Sequence, residues 1–329
     1  DLSTTHPVLK YAIYDGSSWT TTTVDSGYTV GYDTSLAVDT SGDVHISYKD
    51  KWNNDLKYAF YDGSSWTNST VDSGGNVGGF SSIAVDSNGD VHISYYDITS
   101  YDLKYATYDG SSWTTSTVDS GGSVGAFTSL AVDSSGNLHI SYYYGTNSDL
   151  KYATYDGSSW TTSTVDSTGD VGFSTSLAVD SSGDLHISYK DITNNDLKYA
   201  TYDGSSWTTS RVDSSGGSNQ QGGDTSLAVD IGGDVHISYY EQTNGDVKYA
   251  EFPRIPLYDD TGHGYNGSCA ISEPPSSGWC PNSVAGIFGQ ALDFDGSNDY
   301  IEFSSPPDWY TGDSFTWSLW VKMDDVSSD

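Results

Sequence analysis

Residues 103–113 read LKYATYDGSSW, and so do residues 150–160 and 197–207. Near copies start at Leu9 (LKYAIYDGSSW) and Leu56 (LKYAFYDGSSW), and a shorter sixth starts at Val247 (VKYAEF). The starts lie 47, 47, 47, 47 and 50 residues apart. A fixed period of this size marks a repeat architecture, in which one supersecondary unit recurs and buries its apolar face against its neighbours.

One repeat, residues 127–167, divides into four short runs: SLAVD (129–133), LHISYY (138–143), LKYATYD (150–156) and WTTSTVD (160–166). Each is rich in β-branched and aromatic residues and is bounded by Gly, Asp, Asn and Ser, which is the pattern of strands and hairpins. Asp156-Gly157 favours a tight turn, since both residues tolerate positive φ. No segment carries a helical period with caps. The fold class is therefore all-β: a β-propeller of ~47-residue four-stranded blades. SLAVD, small and apolar, suits the crowded inner strand, so the order outward is SLAVD, HISY, LKYA, WTTS. Trp19, Trp66, Trp113, Trp160 and Trp207 are expected to pack between blades. SLAVD-type strands start at 35, 82, 129, 176 and 226. A five-bladed ring is favoured, with 9–25 completing the blade of 226–252 and Val247–Phe252 left over. A ring of six or more blades is the alternative.

The repeat turn Thr107-Tyr108-Asp109-Gly110-Ser111-Ser112-Trp113 resembles the Asp-box of sialidase-like propellers, with one residue fewer between Asp and Gly. The period also resembles that of a small five-bladed lectin propeller. The repeat, residues 1–252, ends before a linker at 253–258. Residues 259–329 resemble the N-terminal part of a laminin-G-like, concanavalin-like jelly roll. The matching segments are DDTGHGYNGS (259–268), VAGIFGQALDFDGSNDYIEF (284–303) and DSFTWSLWVKMDD (313–325). Such a domain implies about twice this length, so strands from a longer chain or a neighbouring copy are expected to complete it. The resemblance also implies calcium at Asp295 and Asp299. Cys269 and Cys280 bracket a short Pro/Gly/Ser-rich loop and read as a disulfide, with two free thiols as the alternative. Closing such a loop contributes roughly 3 kcal/mol in the chain-entropy view.

Forty-five acidic residues face twelve basic ones, for a net charge of -33. That field repels a phosphate backbone, which excludes nucleic acid as a partner. No apolar run is long enough to span a membrane. Aromatic residues make up 14% of the chain, which argues against disorder and assigns much of the core to Tyr and Trp. Two sequons, at Asn68 and Asn266, fit an extracellular or cell-surface location.

The candidate side chains repeat with the blades. His45, His92, His139, His186 and His236 fall one per blade, too dispersed for one metal, and read as structural partners of a neighbouring turn. Lys10, Lys57, Lys104, Lys151, Lys198 and Lys248 are half of all basic residues, and read as partners of a repeated Asp. The Asp-rich turns after each SLAV read as hairpin turns rather than calcium loops, since calcium takes six to eight oxygens. RIP at 254–256 echoes a sialidase motif, but Arg211 and Arg254 are the only arginines in the chain, against the three that hold a sialidase substrate. No nucleophile elbow, zinc helix or phosphate loop occurs.

The expected function is therefore a non-catalytic recognition or adhesion protein that binds carbohydrate through propeller and jelly-roll surfaces. Tyr96, Tyr143 and Tyr240 are the candidate ligand contacts, with gap filling between blades as their alternative role. A second reading is a structural subunit that self-assembles with neighbouring copies into a filament or surface layer by strand exchange. A glycan-active hydrolase or lyase is the lesser alternative.

Overall fold

The computed structural model describes residues 6–214, 223–242, 244–252, 282–286 and 289–293. Every regular element among them is a strand, so no helix there is long and apolar enough to cross a membrane. The chain divides into two compact units, Asp1–Arg254 and Ile255–Asp329.

The first unit is a β-propeller array. It opens with a two-stranded sheet, β1 (Leu9–Tyr14) and β2 (Trp19–Asp25). The first full blade follows as β3 (Val30–Val38), β4 (Val44–Asp50), β5 (Asp55–Tyr61) and β6 (Trp66–Asp72). The second is β7 (Gly79–Val85), β8 (Val91–Asp97), β9 (Asp102–Tyr108) and β10 (Trp113–Asp119). The third is β11 (Val124–Val132), β12 (Leu138–Tyr144), β13 (Asp149–Tyr155) and β14 (Trp160–Asp166). The fourth is β15 (Val171–Val179), β16 (Leu185–Asp191), β17 (Asp196–Tyr202) and β18 (Trp207–Asp213). A three-stranded sheet ends the array: β19 (Gly223–Val229), β20 (Val235–Glu241) and β21 (Asp246–Phe252). All pairing is antiparallel in chain order, so SLAVD is the inner strand, as expected. In the second unit, β22 (Asn282–Gly286) and β23 (Gly289–Asp293) form an antiparallel hairpin. The rest of the jelly-roll reading, the 253–258 linker, the Cys269–Cys280 disulfide and the Asp295/Asp299 calcium site lie outside the described residues.

Among the described residues, Leu9–Asp25 does not complete the last sheet in the way expected from sequence. Val247–Phe252 is not left over: it pairs along β20, from Val235↔Phe252 to Tyr240↔Val247. The third place of the last sheet is thus filled, and Leu9–Tyr14 pairs with β2 instead. The reason is local. A short loop returns each LKYA strand onto the HISY strand just before it, and loop closure over a few residues outcompetes closure over the whole array.

The turn expectation also needs correcting. Asp156 does not adopt positive φ; Gly157 does, at 89°. Tyr155 faces Trp160 across a four-residue loop. The Asp156 carboxylate accepts from the backbone N–H groups of Ser158 and Ser159, at 2.9 and 3.0 Å. Such an Asx-type turn needs one left-handed residue rather than two. The SLAVD turns are built alike: Asp133 accepts from the N–H groups of Ser135 and Asn137, both at 2.8 Å. Among the described residues no group of three metal-ligating side chains forms.

The core lies between blades rather than within them. One cluster joins Leu56 and Tyr58 of the first blade to Ile83, Ile93 and Tyr95 of the second, and the same set recurs at the next interface with Leu103, Tyr105, Leu130, Ile140 and Tyr142. Backbone approach there is close. Gly125 holds φ 100°, and a Cβ on it would stand 2.6 Å from the Leu103 Cα of the preceding blade. Only glycine fits such an approach. The tryptophans seal these interfaces. Trp113 meets Tyr58, Trp160 meets Tyr105 and Trp207 meets Tyr152, edge to face at 5.1–5.2 Å. Trp66 meets Tyr11 in the same way at 5.3 Å. Trp19, in the first sheet, is 70% exposed.

Each interface also carries one buried or half-buried carboxylate. Asp72, at the end of β6, accepts from Lys104 Nζ and Tyr95 O–H of the next blade, each at 2.6 Å, and from its own Gly74 N–H at 2.9 Å. Burial pushes the carboxyl up, but these three donors win and hold it below the usual range. Asp25, Asp119, Asp166 and Asp213 take the same two side-chain donors: Lys57 and Tyr48, Lys151 and Tyr142, Lys198 and Tyr189, Lys248 and Tyr239. This is the ion pair expected for the repeated Lys, and it ties one blade to the next.

The histidines face the expected turn and take a second, nearer partner. Each Nδ1 lies 2.5–2.7 Å from a Tyr hydroxyl thirteen residues on, as His92 does from Tyr105. The turn Asp stands farther off, 3.4–3.8 Å from Nε2. A proton on Nε2, facing that carboxylate, leaves Nδ1 to accept from the tyrosine. Burial lowers the pKa of His45, His92 and His139 more than the nearby Asp raises it.

Replacing Asp72 by alanine strands Lys104 in a mostly buried position. A loss of about 3 kcal/mol is expected, read as a fall in the urea midpoint. Acid should also destabilise the array in two stages. His45, His92 and His139, and the clamp carboxyls of Asp25, Asp72, Asp119 and Asp166, have depressed folded pKa values. Their contribution is therefore complete above the unfolded values, about 6.5 and 3.9, and is lost as the pH falls through the folded ones. Urea midpoints taken in about 0.5 M salt, which screens the global repulsion, should start to fall below about pH 6.5 and fall again below about pH 4.

Candidate functional site

The inner strands run side by side, β3 against β7, β7 against β11, β11 against β15 and β15 against β19. All five line one cavity of about 310 Å³ at their N-terminal ends. The residues at its rim hold one position of the repeat: Asp33, Phe80, Phe127, Ser174 and Asp224. All five adopt left-handed backbone, with φ of 48°, 52°, 55°, 49° and 44°. For a bulky residue such as Phe this conformation is strained, and the surroundings must hold it.

The local hydrogen bonds do so. The inner strands bulge here, with register shifts from Val124 to Ala126 and from Ala126 to Ser129. The next residue of β7, β11, β15 and β19 anchors the bend. Thr128 donates to Ser94 at 2.8 Å, and Ser47 with Ser81, Ser141 with Thr175 and Ser188 with Thr225 lie 2.6–2.9 Å apart. Ser81 and Thr175 hydroxyls also donate to the backbone carbonyls of Asp33 and Phe127, both at 2.8 Å. The hydroxyl belt thus spans the blades and fixes what the rim presents.

The rim is chemically mixed. Phe80 and Phe127 form an apolar wall, their ring centres 4.4 Å apart, backed by Phe173 at 5.1 Å from Phe127. The other three positions are polar: Asp33 stands on the strand beside that of Phe80, and Ser174 and Asp224 lie beyond Phe127, with Ser174 Oγ 3.5 Å from Asp224 Oδ1. Two buried lysines stand behind these positions. Burial lowers the pKa of Lys49 and Lys190, while the charges of Asp33 and Asp224 respectively oppose that shift. Lys49 Nζ donates to Asn76 Oδ1 at 2.6 Å and to the Val77 carbonyl at 3.0 Å. The cavity therefore offers aromatic faces together with two carboxylates and hydroxyls.

Of the three tyrosines expected to contact a ligand, two reach this region but do not line the cavity. Tyr96 is 8% exposed, sits opposite Gly79 and packs 6.3 Å from Phe80. Tyr143 is half-buried, donates to Asp170 at 2.9 Å and packs 4.2 Å from Phe173. Both fill gaps behind the aromatic wall, the alternative role for these side chains. Tyr240 is 37% exposed, opposite Gly223. The rim residues themselves escaped the sequence reading. Their signal was variation: one position changes from Asp to Phe, Ser and Asp again beside strands that hardly change.

No family model matches the chain, and no curated protein matches it. Solved structures do. A protein of unknown function from Dyadobacter fermentans is 12% identical, with a TM-score of 0.50 over 68% of this chain and 78% of that one. A mutant of the Aleuria aurantia lectin, in complex with Fucα1-6GlcNAc, is 15% identical, with a TM-score of 0.50 over 77% of this chain and 84% of that one. A Hadza microbial sialidase is 13% identical, with a TM-score of 0.47 over 67% and 56%. At these identities the likeness is one of fold, and it agrees with the strand order: the repeat unit of this chain is an all-β propeller.

Proposed function

We propose that this chain is a non-catalytic carbohydrate-recognition protein that works outside the cell, with the cavity of the inner strands as a glycan site. The observation that carries the reading is the mixed aromatic and polar rim. A pyranose presents a flat C–H face and a ring of hydroxyls. Phe80 and Phe127 suit the first, and Asp33, Ser174 and Asp224 suit the second. A concave site with an apolar wall and a few placed polar groups is the usual form of a small-ligand site. The left-handed backbone holds these groups in place before a ligand arrives, which reduces the ordering cost of binding. A lectin of the same fold, from Aleuria aurantia, was solved with a fucosylated disaccharide. The net charge of -33 favours neutral sugars over anionic ones.

The test is a glycan array followed by titration of the glycans that bind. Phe127→Ser installs the residue that the fourth blade already carries at this position. It should leave the urea midpoint unchanged and weaken binding at least tenfold, about 1.4 kcal/mol. A variant that binds every glycan as tightly as the parent would remove the cavity from the reading.

One observation favours the second reading, a structural subunit that associates with copies of itself. Leu36 and Val38 of β3 are 49% and 57% exposed, whereas Leu130, Leu177 and Leu227, the counterparts of Leu36, are 6–8% exposed. An apolar strand face of this kind invites association. On this reading, negative-stain microscopy shows ordered filaments or sheets that Leu36→Asp disperses. Separate particles at high protein concentration would rule it out.

A further inference from the structure

The repeat departs from itself at one pair of positions in a coordinated way. In the second, third and fourth blades, the loop before the inner strand meets the loop between the second and third strands through a Gly and a Thr. The pairs are Gly75 with Thr99, Gly122 with Thr146, and Gly169 with Thr193. Each threonine hydroxyl accepts from the backbone N–H that follows the glycine, of Asn76, Ser123 and Asp170, at 2.7–2.9 Å. A Cβ on these glycines would stand 2.5–2.9 Å from the hydroxyl. The closed loop pair has no room for a side chain.

In the first blade both positions have changed together, the glycine to Tyr28 and the threonine to Trp52. Their rings meet edge to face at 4.5 Å, and the His6 ring lies against Tyr28. Tyr28 remains 46% exposed and Trp52 64%. The loops beneath are rigidly held. Asp50, 4% exposed, accepts from the N–H groups of Trp52 and Asn53, both at 3.0 Å, and from the Asn53 side-chain amide at 2.8 Å. The Lys51 N–H donates to the Thr29 carbonyl at 3.0 Å and ties the two loops together. A single Gly→Tyr change would clash with the threonine. The double change replaces a self-closing contact with a fixed, open aromatic corner.

We propose that Tyr28 and Trp52 form a second glycan site, separate from the cavity of the inner strands, which stacks the C–H face of one neutral pyranose. The proposal rests on the reading of the protein as a carbohydrate-recognition module. The size of the corner selects the occupant. A specific protein interface needs roughly 800 Å² on each partner, whereas each aromatic side chain offers at most about 150–250 Å². Two partly exposed rings on loop tips match one sugar ring. Lys51 and Asn53 flank Trp52 on the same loop, where the Lys51 ammonium lies over the Tyr32 ring at 4.7 Å and the Asn53 amide donates to Asp50. The strongly acidic chain disfavours uronic and sialic acids here as in the cavity.

The full chain, Tyr28→Gly/Trp52→Thr, Trp52→Phe and Phe127→Ser are compared on one glycan array. Neutral glycans that bind, together with methyl α-fucopyranoside and methyl β-galactopyranoside, are then titrated by saturation-transfer NMR. The double variant restores the pair that three other blades carry, so it should fold with an unchanged urea midpoint. It is expected to lose at least tenfold in affinity for a neutral glycan that Phe127→Ser still binds, while Trp52→Phe stays within about threefold of the parent. Undiminished binding of every glycan by the double variant would overturn the second site and leave the cavity reading intact. A parent that binds no neutral glycan would overturn both. Loss in the double variant with no effect of Phe127→Ser would support the corner and overturn the cavity.

Discussion

A carboxylate at the end of each outer strand holds the array together. Asp72 closes its own loop through Gly74 N–H and reaches forward to Lys104 and Tyr95 of the next blade. The group is mostly out of water, so each unused acceptor would be costly, and here the donors are supplied from both sides of the interface. The same Asp is the last residue before the link to the next inner strand. Fixing it fixes where that link starts, and so where Val77 enters the core and where Phe80 meets the cavity. Tyr95, fully buried, is the apolar half of the same contact. Polar and apolar forces therefore act at one point of each interface, and the stability of the array is close to a sum over such points.

This arrangement explains how the basic residues are used. Five of the ten lysines serve the clamps, and Lys49 and Lys190 are buried behind the cavity. Little positive charge remains on the described surface to offset forty-five acidic residues. The outside is an anionic shell of Asp-rich turns. Their carboxylates are occupied by backbone N–H groups: Ser and backbone donors hold Asp62 and Asp109 down to about 2. Such turns remain ionised in ordinary conditions and keep anionic partners at a distance.

Near-identity among the blades separates frame from function. Positions that keep their chemistry, such as the His–Tyr pair and the Ser/Thr hydroxyl belt, solve the packing problem that every blade shares. Positions that vary face open space. The rim runs through Asp33, Phe80, Phe127, Ser174 and Asp224, and the loop pair switches from Gly/Thr to Tyr28/Trp52. Neither change disturbs the frame, because the rim is held by the hydroxyl of the following residue and the corner by Asp50 beneath it.

The sequence alone determined the period, the four strands of each blade, their order from SLAVD outward, and the placing of Trp66, Trp113, Trp160 and Trp207 between blades; Trp19, in the first sheet, has no preceding blade to pack on and stays exposed. These follow from local propensity and from a 47-residue spacing that leaves little freedom. It also showed that the repeated lysine needs an aspartate, but not which one. Several aspartates recur with the same period, and only the three-dimensional stacking places Asp72 of the preceding blade against Lys104, 32 residues later. The tertiary structure likewise decided that Val247–Phe252 belongs to the last sheet, because strand pairing is a contest between closures that composition does not rank. It turned Tyr96 and Tyr143 inward, since their exposure depends on a glycine or alanine across the register and on phenylalanines from the neighbouring blades. It brought the five rim residues, each 47 or 50 positions from the next, to one cavity, because a repeating blade stacks equivalent positions side by side.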